Sequence, residues 1–149
     1  LSDPWAARDH FIEWRNGWVT PADFWAQHGR YGRKPGKEHL TARAWHLLEA
    51  EYCMQASFTS CGWFFEDLDR IEPRNDINYA RCAISHIWRA LHVDLQAGFL
   101  ADLAQAHSWR RPLSGEQIYH LLPPVAPDLL PPLTAPTALP ATQKAEPAA

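Results

Sequence analysis

Ile77-Asn78-Tyr79-Ala80-Arg81-Cys82-Ala83-Ile84-Ser85-His86-Ile87-Trp88-Arg89-Ala90-Leu91 decides the fold class of this 149-residue chain. Ile77, Ala80, Ile84, Ile87, Trp88 and Leu91 recur at intervals of three and four, the spacing that lays side chains along one face of an α-helix. The segment reads as a helix committed to a core. Its start is expected near Pro73, since a proline loses nothing in a first helical turn, where the N–H has no partner anyway. Upstream, Leu40, Ala44, Leu47, Leu48, Met54 and Phe58 trace a second long apolar face through an Ala- and Glu-rich stretch that should end near Ser57. These two faces are the longest and most regular, so the two helices are expected to pack on each other.

Shorter helices flank this pair. Asp3 before Pro4 is an N-cap with proline at the first helical position, and Ala7, Phe11, Trp14 and Trp18 mark a face that Gly17 closes, predicting a helix over 4–16. Thr20, Pro21 and Asp23 repeat the start signal, and Gly29 ends a second helix carrying Phe24 and Trp25. Together they form a helical hairpin. Asp94 can cap a helix bearing Phe99, Leu100 and Leu103, and Ser114 with Gln117 offers a capping box for another around Ile118, Tyr119 and Leu122. No segment reads as a strand. From Pro123 onward eight of the 13 prolines crowd among Ala, Leu and Thr, a composition that neither continues helices nor buries a face. The expectation is an all-α bundle of five to six helices over residues 1–125, followed by a disordered Pro/Ala-rich tail at 126–149.

Composition narrows the function classes. The formal charge of −3 with interspersed signs gives no field suited to nucleic acid, although Arg30, Arg33, Lys34 and Lys37 form a local basic loop. No apolar leader or membrane-length span is present, and Cys53, Cys61 and Cys82 make an odd number without metal-type spacing. A cytoplasmic setting fits. The eight histidines lack the paired spacing of a helical zinc site, so they read as surface or core residues, and nothing implies a metal or cofactor. Glu49 and Glu51 read as solvated helix-face residues. Leu1 in place of Met, with helix signals at once, suggests a piece of a longer chain.

The chemistry candidates concentrate in Thr59-Ser60-Cys61-Gly62-Trp63-Phe64-Phe65-Glu66-Asp67. Three adjacent rings cannot all face one core from a regular helix, so some must turn toward a ligand or a neighbouring domain. Aromatic faces beside carboxylates suit a carbohydrate, whose C–H faces stack on rings while its hydroxyls donate to acids. Cys61, Trp63, Phe64, Glu66 and Asp67 are the candidate substrate-binding residues. The plainer reading is a sharp turn whose rings fill the core and whose Glu66 and Asp67 start the next helix. Cys61 reads as a buried structural thiol, or as a nucleophile if a positioned histidine accompanies it. Glu66, Asp67, Asp69 and Glu72 place four acids within seven residues, balanced only by Arg70 and Arg74.

This block, with Leu48-Glu49-Ala50-Glu51 before it and Ile71-Glu72 and Asn78-Tyr79-Ala80-Arg81-Cys82-Ala83-Ile84 after it, resembles the C-terminal uncharacterised helical domain of bacterial glycoside hydrolase family 57-like proteins. Asp3-Pro4-Trp5-Ala6-Ala7-Arg8, Phe99-Leu100, Leu103-Ala104-Gln105-Ala106 and Ile118-Tyr119 extend the likeness in the same order, over most of residues 3–122. The resemblance implies an α-glucan context, shared with amylases, glucanotransferases and branching enzymes. In the family a Glu nucleophile and an Asp acid/base of a retaining mechanism lie in an upstream barrel, so no acid of this chain inherits those roles, and catalysis is assigned to none of its residues. Trp63, Phe64 and Asp67 would wall the glucan site, with α-glucan or an oligosaccharide as the partner through that barrel. This chain departs from the family after Leu122, where relatives continue into a structured region, and it is expected to be inert alone. The alternative is a non-catalytic helical module whose aromatic run docks a partner protein.

Overall fold

Two long helices, α3 (Glu38–Ala56) and α5 (Ile71–Leu91), form the spine of the computed structural model, which describes residues 1–30, 36–64 and 66–123. His46 meets His86, and Cys53 meets Cys82, so numbers rise along one helix as they fall along the other and the pair is antiparallel. Cys53, Cys82 and Ala83 are small buried residues that let the two backbones approach. The remaining helices are α1 (Pro4–Arg15), α2 (Pro21–His28), α4 (Ser60–Phe64), α6 (Gln96–Leu103) and α7 (Gly115–Leu121). Among the described residues there is no strand, only an isolated bridge between His107 and Ser114, and the protein is all-α. The expected tail at 126–149, with Arg33, Lys34 and Phe65, lies outside the described residues.

Local chemistry sets the boundaries as anticipated. Asp3 accepts from the amides of Trp5 and Ala6 at 2.9 and 3.1 Å, satisfying two donors that α1 leaves open. Ser114 and Gln117 complete a reciprocal capping box at α7. Asp94, expected to cap α6, lies one residue before its N-cap Leu95 and accepts from the Gln96 amide at 2.8 Å.

Two apolar centres flank the spine. Ala7 and Phe11 of α1, Phe24 of α2, and Trp45 and Leu48 of α3 pack as one cluster, seating the α1–α2 hairpin on one end. Ile77 of α5 with Ile118 and Tyr119 of α7 makes the other, joined by Phe99, Leu100 and Leu103 of α6. The α3 face is rotated from the one its leucines suggested. Trp45, His46, Leu48, Glu49, Ala50 and Cys53 turn inward, whereas Leu47, Met54 and Phe58 are exposed. Glu49 is therefore a core residue and not a solvated one. It is held there by Arg15, whose guanidinium donates to its carboxylate while lying 4.0 Å above the Tyr52 ring.

This inward face builds a polar seam along the spine. His46 and His86 share an Nδ1···Nδ1 hydrogen bond of 3.0 Å. Burial first, then His86 and Arg89, lowers the His46 pKa to about 4, so His46 is neutral at pH 7. Burial raises the Glu49 pKa, against the opposing pull of Arg15. A hydrogen bond between Cys53 and Cys82 raises the Cys53 thiol and lowers Cys82, which His86 also stabilises as a thiolate. Each polar group here has a neighbour of suitable chemistry, as burial demands.

Candidate functional site: an aromatic edge on a short helix

Trp63 and Phe64 are helical where the plainer reading expected a sharp turn, and Gly62 explains how. Thr59 Oγ1 donates to Asp76 Oδ1 of α5 at 2.7 Å, tying the start of α4 to the spine. A Cβ at Gly62 would stand 1.8 Å from Asp76 Oδ2, so only glycine lets this turn sit against that carboxylate. Once α4 is pinned on its Thr59 and Gly62 side, its other residues face outward.

Trp63 is 71 % exposed and Phe64 81 % exposed, so these rings do not fill the core. Phe58, just past α3, lies nearly parallel to Trp63, with ring centres 6.1 Å apart and 5° between planes. Cys61 is exposed on the same short helix, correcting the expectation of a buried thiol; the buried thiols are Cys53 and Cys82. Glu66 is also exposed.

Asp67 is placed elsewhere. Its side chain is 1 % exposed, and α5 begins only at Ile71, so it neither faces solvent beside Trp63 nor starts a helix. Its carboxylate accepts from the amides of Asp69, Trp109 and Arg110 at 2.8, 2.9 and 3.1 Å, and from the Ser108 hydroxyl at 2.9 Å. Ser108 Oγ in turn accepts from the Arg110 and Arg111 amides. Burial alone would raise the Asp67 pKa, but the hydrogen bonds from Asp69, Ser108, Arg110 and Trp109 prevail and hold it below the usual carboxylate range. Asp67 thus fixes the loop at 108–111 against the segment that follows α4. Its separation from the rings is legible only in three dimensions, because the donors from Ser108, Trp109 and Arg110 lie some forty residues away.

Sequence reasoning missed Trp109, which is 72 % exposed while its indole N–H donates to the Glu66 carbonyl at 3.3 Å. The available signal was a tryptophan outside any helical pattern, followed by two arginines. Asp69 pairs with Arg111, and Asp69, Arg110 and Arg111 line a cleft of about 290 Å³.

The edge therefore offers exposed ring faces with the exposed Glu66 beside them, and the adjoining loop carries the Arg110 and Arg111 guanidiniums. Among the described residues no group of three or more His, Cys, Asp or Glu side chains could hold a metal ion, and no helix is long and apolar enough to cross a membrane. No curated protein and no solved structure matches the chain. Residues 1–131 match the family described as Domain of unknown function (DUF3536), and the chain belongs to that family.

Proposed function

We propose that the chain is a helical accessory module of a family 57-like α-glucan-active glycoside hydrolase or transglycosylase, contributing ring faces to the cleft wall while the catalytic carboxylates lie in a separate barrel. The observation that carries this reading is the exposure of Trp63 and Phe64 on a short helix that Gly62 and Thr59 clamp from behind. Exposed rings forfeit about 25 cal/mol for each Å² of apolar surface left in water, and a sugar face stacked on them recovers it. Glu66, exposed beside the rings, supplies a hydroxyl acceptor. Asp67 serves as a positioning residue. Co-sedimentation tests the reading: the protein should be retained on insoluble amylose and not on cellulose, and Trp63→Ala should lose retention while keeping its helical spectrum. Wild-type protein that stays in the supernatant with amylose would contradict it.

A second reading, a non-catalytic module that docks a partner protein, is favoured by an open apolar groove of about 370 Å³ between α3 and α5. Leu47, Met54, Ile87, Leu91, Val93 and Leu95 line it. Leu47→Lys separates the two, because it should leave amylose retention intact and would abolish only protein contacts.

A further inference from the structure

Resting on the glucan-binding reading, we propose that the loop at 108–111 is a second sugar-binding element, with Trp109 as its platform and the Asp69–Arg110–Arg111 cleft as its hydroxyl-binding part. Trp109 combines high exposure with restraint, a pairing that a merely solvated tryptophan does not require. Its backbone amide donates to Asp67 at 2.9 Å and its indole N–H to the Glu66 carbonyl at 3.3 Å, so both the chain and the ring are held. The flanking amides of Arg110 and Arg111 are fixed by Asp67 and Ser108. A ring ordered before the ligand arrives loses little rotamer entropy on binding, which is the advantage of a preorganised platform.

The adjoining cleft supplies the polar complement. Asp69, whose side chain is 5 % exposed, pairs with Arg111 and sets its guanidinium, and Arg111 at 54 % and the exposed Arg110 offer the donors. Guanidinium donors beside one indole face suit a polyol, whose hydroxyl oxygens accept while its C–H face stacks on the ring. Asp69 neutralises one of the two guanidiniums that line the cleft and a positive charge remains, so inorganic phosphate is the competing ligand that the titration has to separate from maltoheptaose. The loop is joined to the α4 edge through the Glu66 carbonyl, two residues beyond Phe64.

Isothermal titration with maltoheptaose tests this on wild type, Trp109→Ala, Trp109→Phe and Trp63→Ala, with melting curves for each. Trp109→Ala should weaken binding about 5- to 20-fold with an unchanged melting temperature, and Trp109→Phe, which keeps a ring, should recover most of the loss. Binding lost with Trp63→Ala but unaltered in Trp109→Ala would overturn this inference and leave the glucan reading standing. No binding by wild type would overturn both. Inorganic phosphate displacing maltoheptaose would overturn the assignment of the cleft to hydroxyls.

Discussion

Gly62→Ala is the sharpest perturbation of the geometry that presents the rings. The added methyl would stand 1.8 Å from Asp76 Oδ2 and 2.5 Å from its Cγ, whereas ordinary contact lies at 3.4 Å or beyond. Asp76, 9 % exposed, must rotate or α4 must lift, and either movement breaks the Thr59–Asp76 hydrogen bond. Overpacking costs about 1–3 kcal/mol. Losing a hydrogen bond to a charged group adds about 1.5–3 kcal/mol. The better helix propensity of alanine returns about 1 kcal/mol, so the net loss should be about 1.5–5 kcal/mol. Urea denaturation of Gly62→Ala, Asp76→Ala and the double variant measures it as a cycle. The clash belongs to one pair of residues, so Gly62→Ala should cost far less in the Asp76→Ala background. An equal cost in both backgrounds would refute the clamp, and with it the reason the rings face outward.

Leu48→Ala should cost about 2–5 kcal/mol because Leu48 is buried, whereas the half-exposed Leu47→Ala should cost under about 1 kcal/mol; equal losses in chemical denaturation would show that the α3 face is wrongly oriented. The His46 pKa lies below its ordinary value of 6.5, at about 4, so its contribution to stability is complete above 6.5 and is lost as pH falls toward 4. That displacement is worth at most about 3 kcal/mol, and His46→Gln should flatten this part of the pH profile, with an unaltered profile counting against a buried neutral His46. Asp67→Asn keeps the shape but sets an amide NH₂ among N–H donors, so the amides of Trp109 and Arg110 should lose protection in hydrogen exchange; unchanged protection would contradict the role of Asp67 in holding the loop.

The helices were legible because their signals are local. Asp3-Pro4, Thr20-Pro21 and the Ser114–Gln117 box satisfy open amides within one turn, and the observed α1, α2 and α7 begin where those residues place them. The rotated face of α3 was not legible, because leucine spacing assumes that hydrophobic residues alone choose the core. Glu49 enters that core because Arg15 reaches it from α1, and His46 because His86 meets it from α5, and neither partner is visible along α3 itself. The candidate site divides in the same way. The excess of adjacent rings pointed to surface aromatics, and Trp63 and Phe64 are exposed. Asp67 could not be told from Glu66 in sequence, since the difference lies in amides donated from residues 109 and 110. Nor could Gly62 be recognised as a docking point, because Asp76 lies fourteen residues on, across a turn that helical periodicity does not describe.

If Trp63 contacts an α-glucan from the surface, as proposed, indole N–H resonances report it residue by residue. The chain has eight tryptophans, each assignable by a single Trp→Phe replacement, and they range from the buried Trp45 to the exposed Trp63. In a two-dimensional NMR titration with maltoheptaose, the Trp63 signal should shift progressively and saturate while the Trp45 signal stays fixed. A Trp63 signal that does not move at millimolar maltoheptaose would contradict the account.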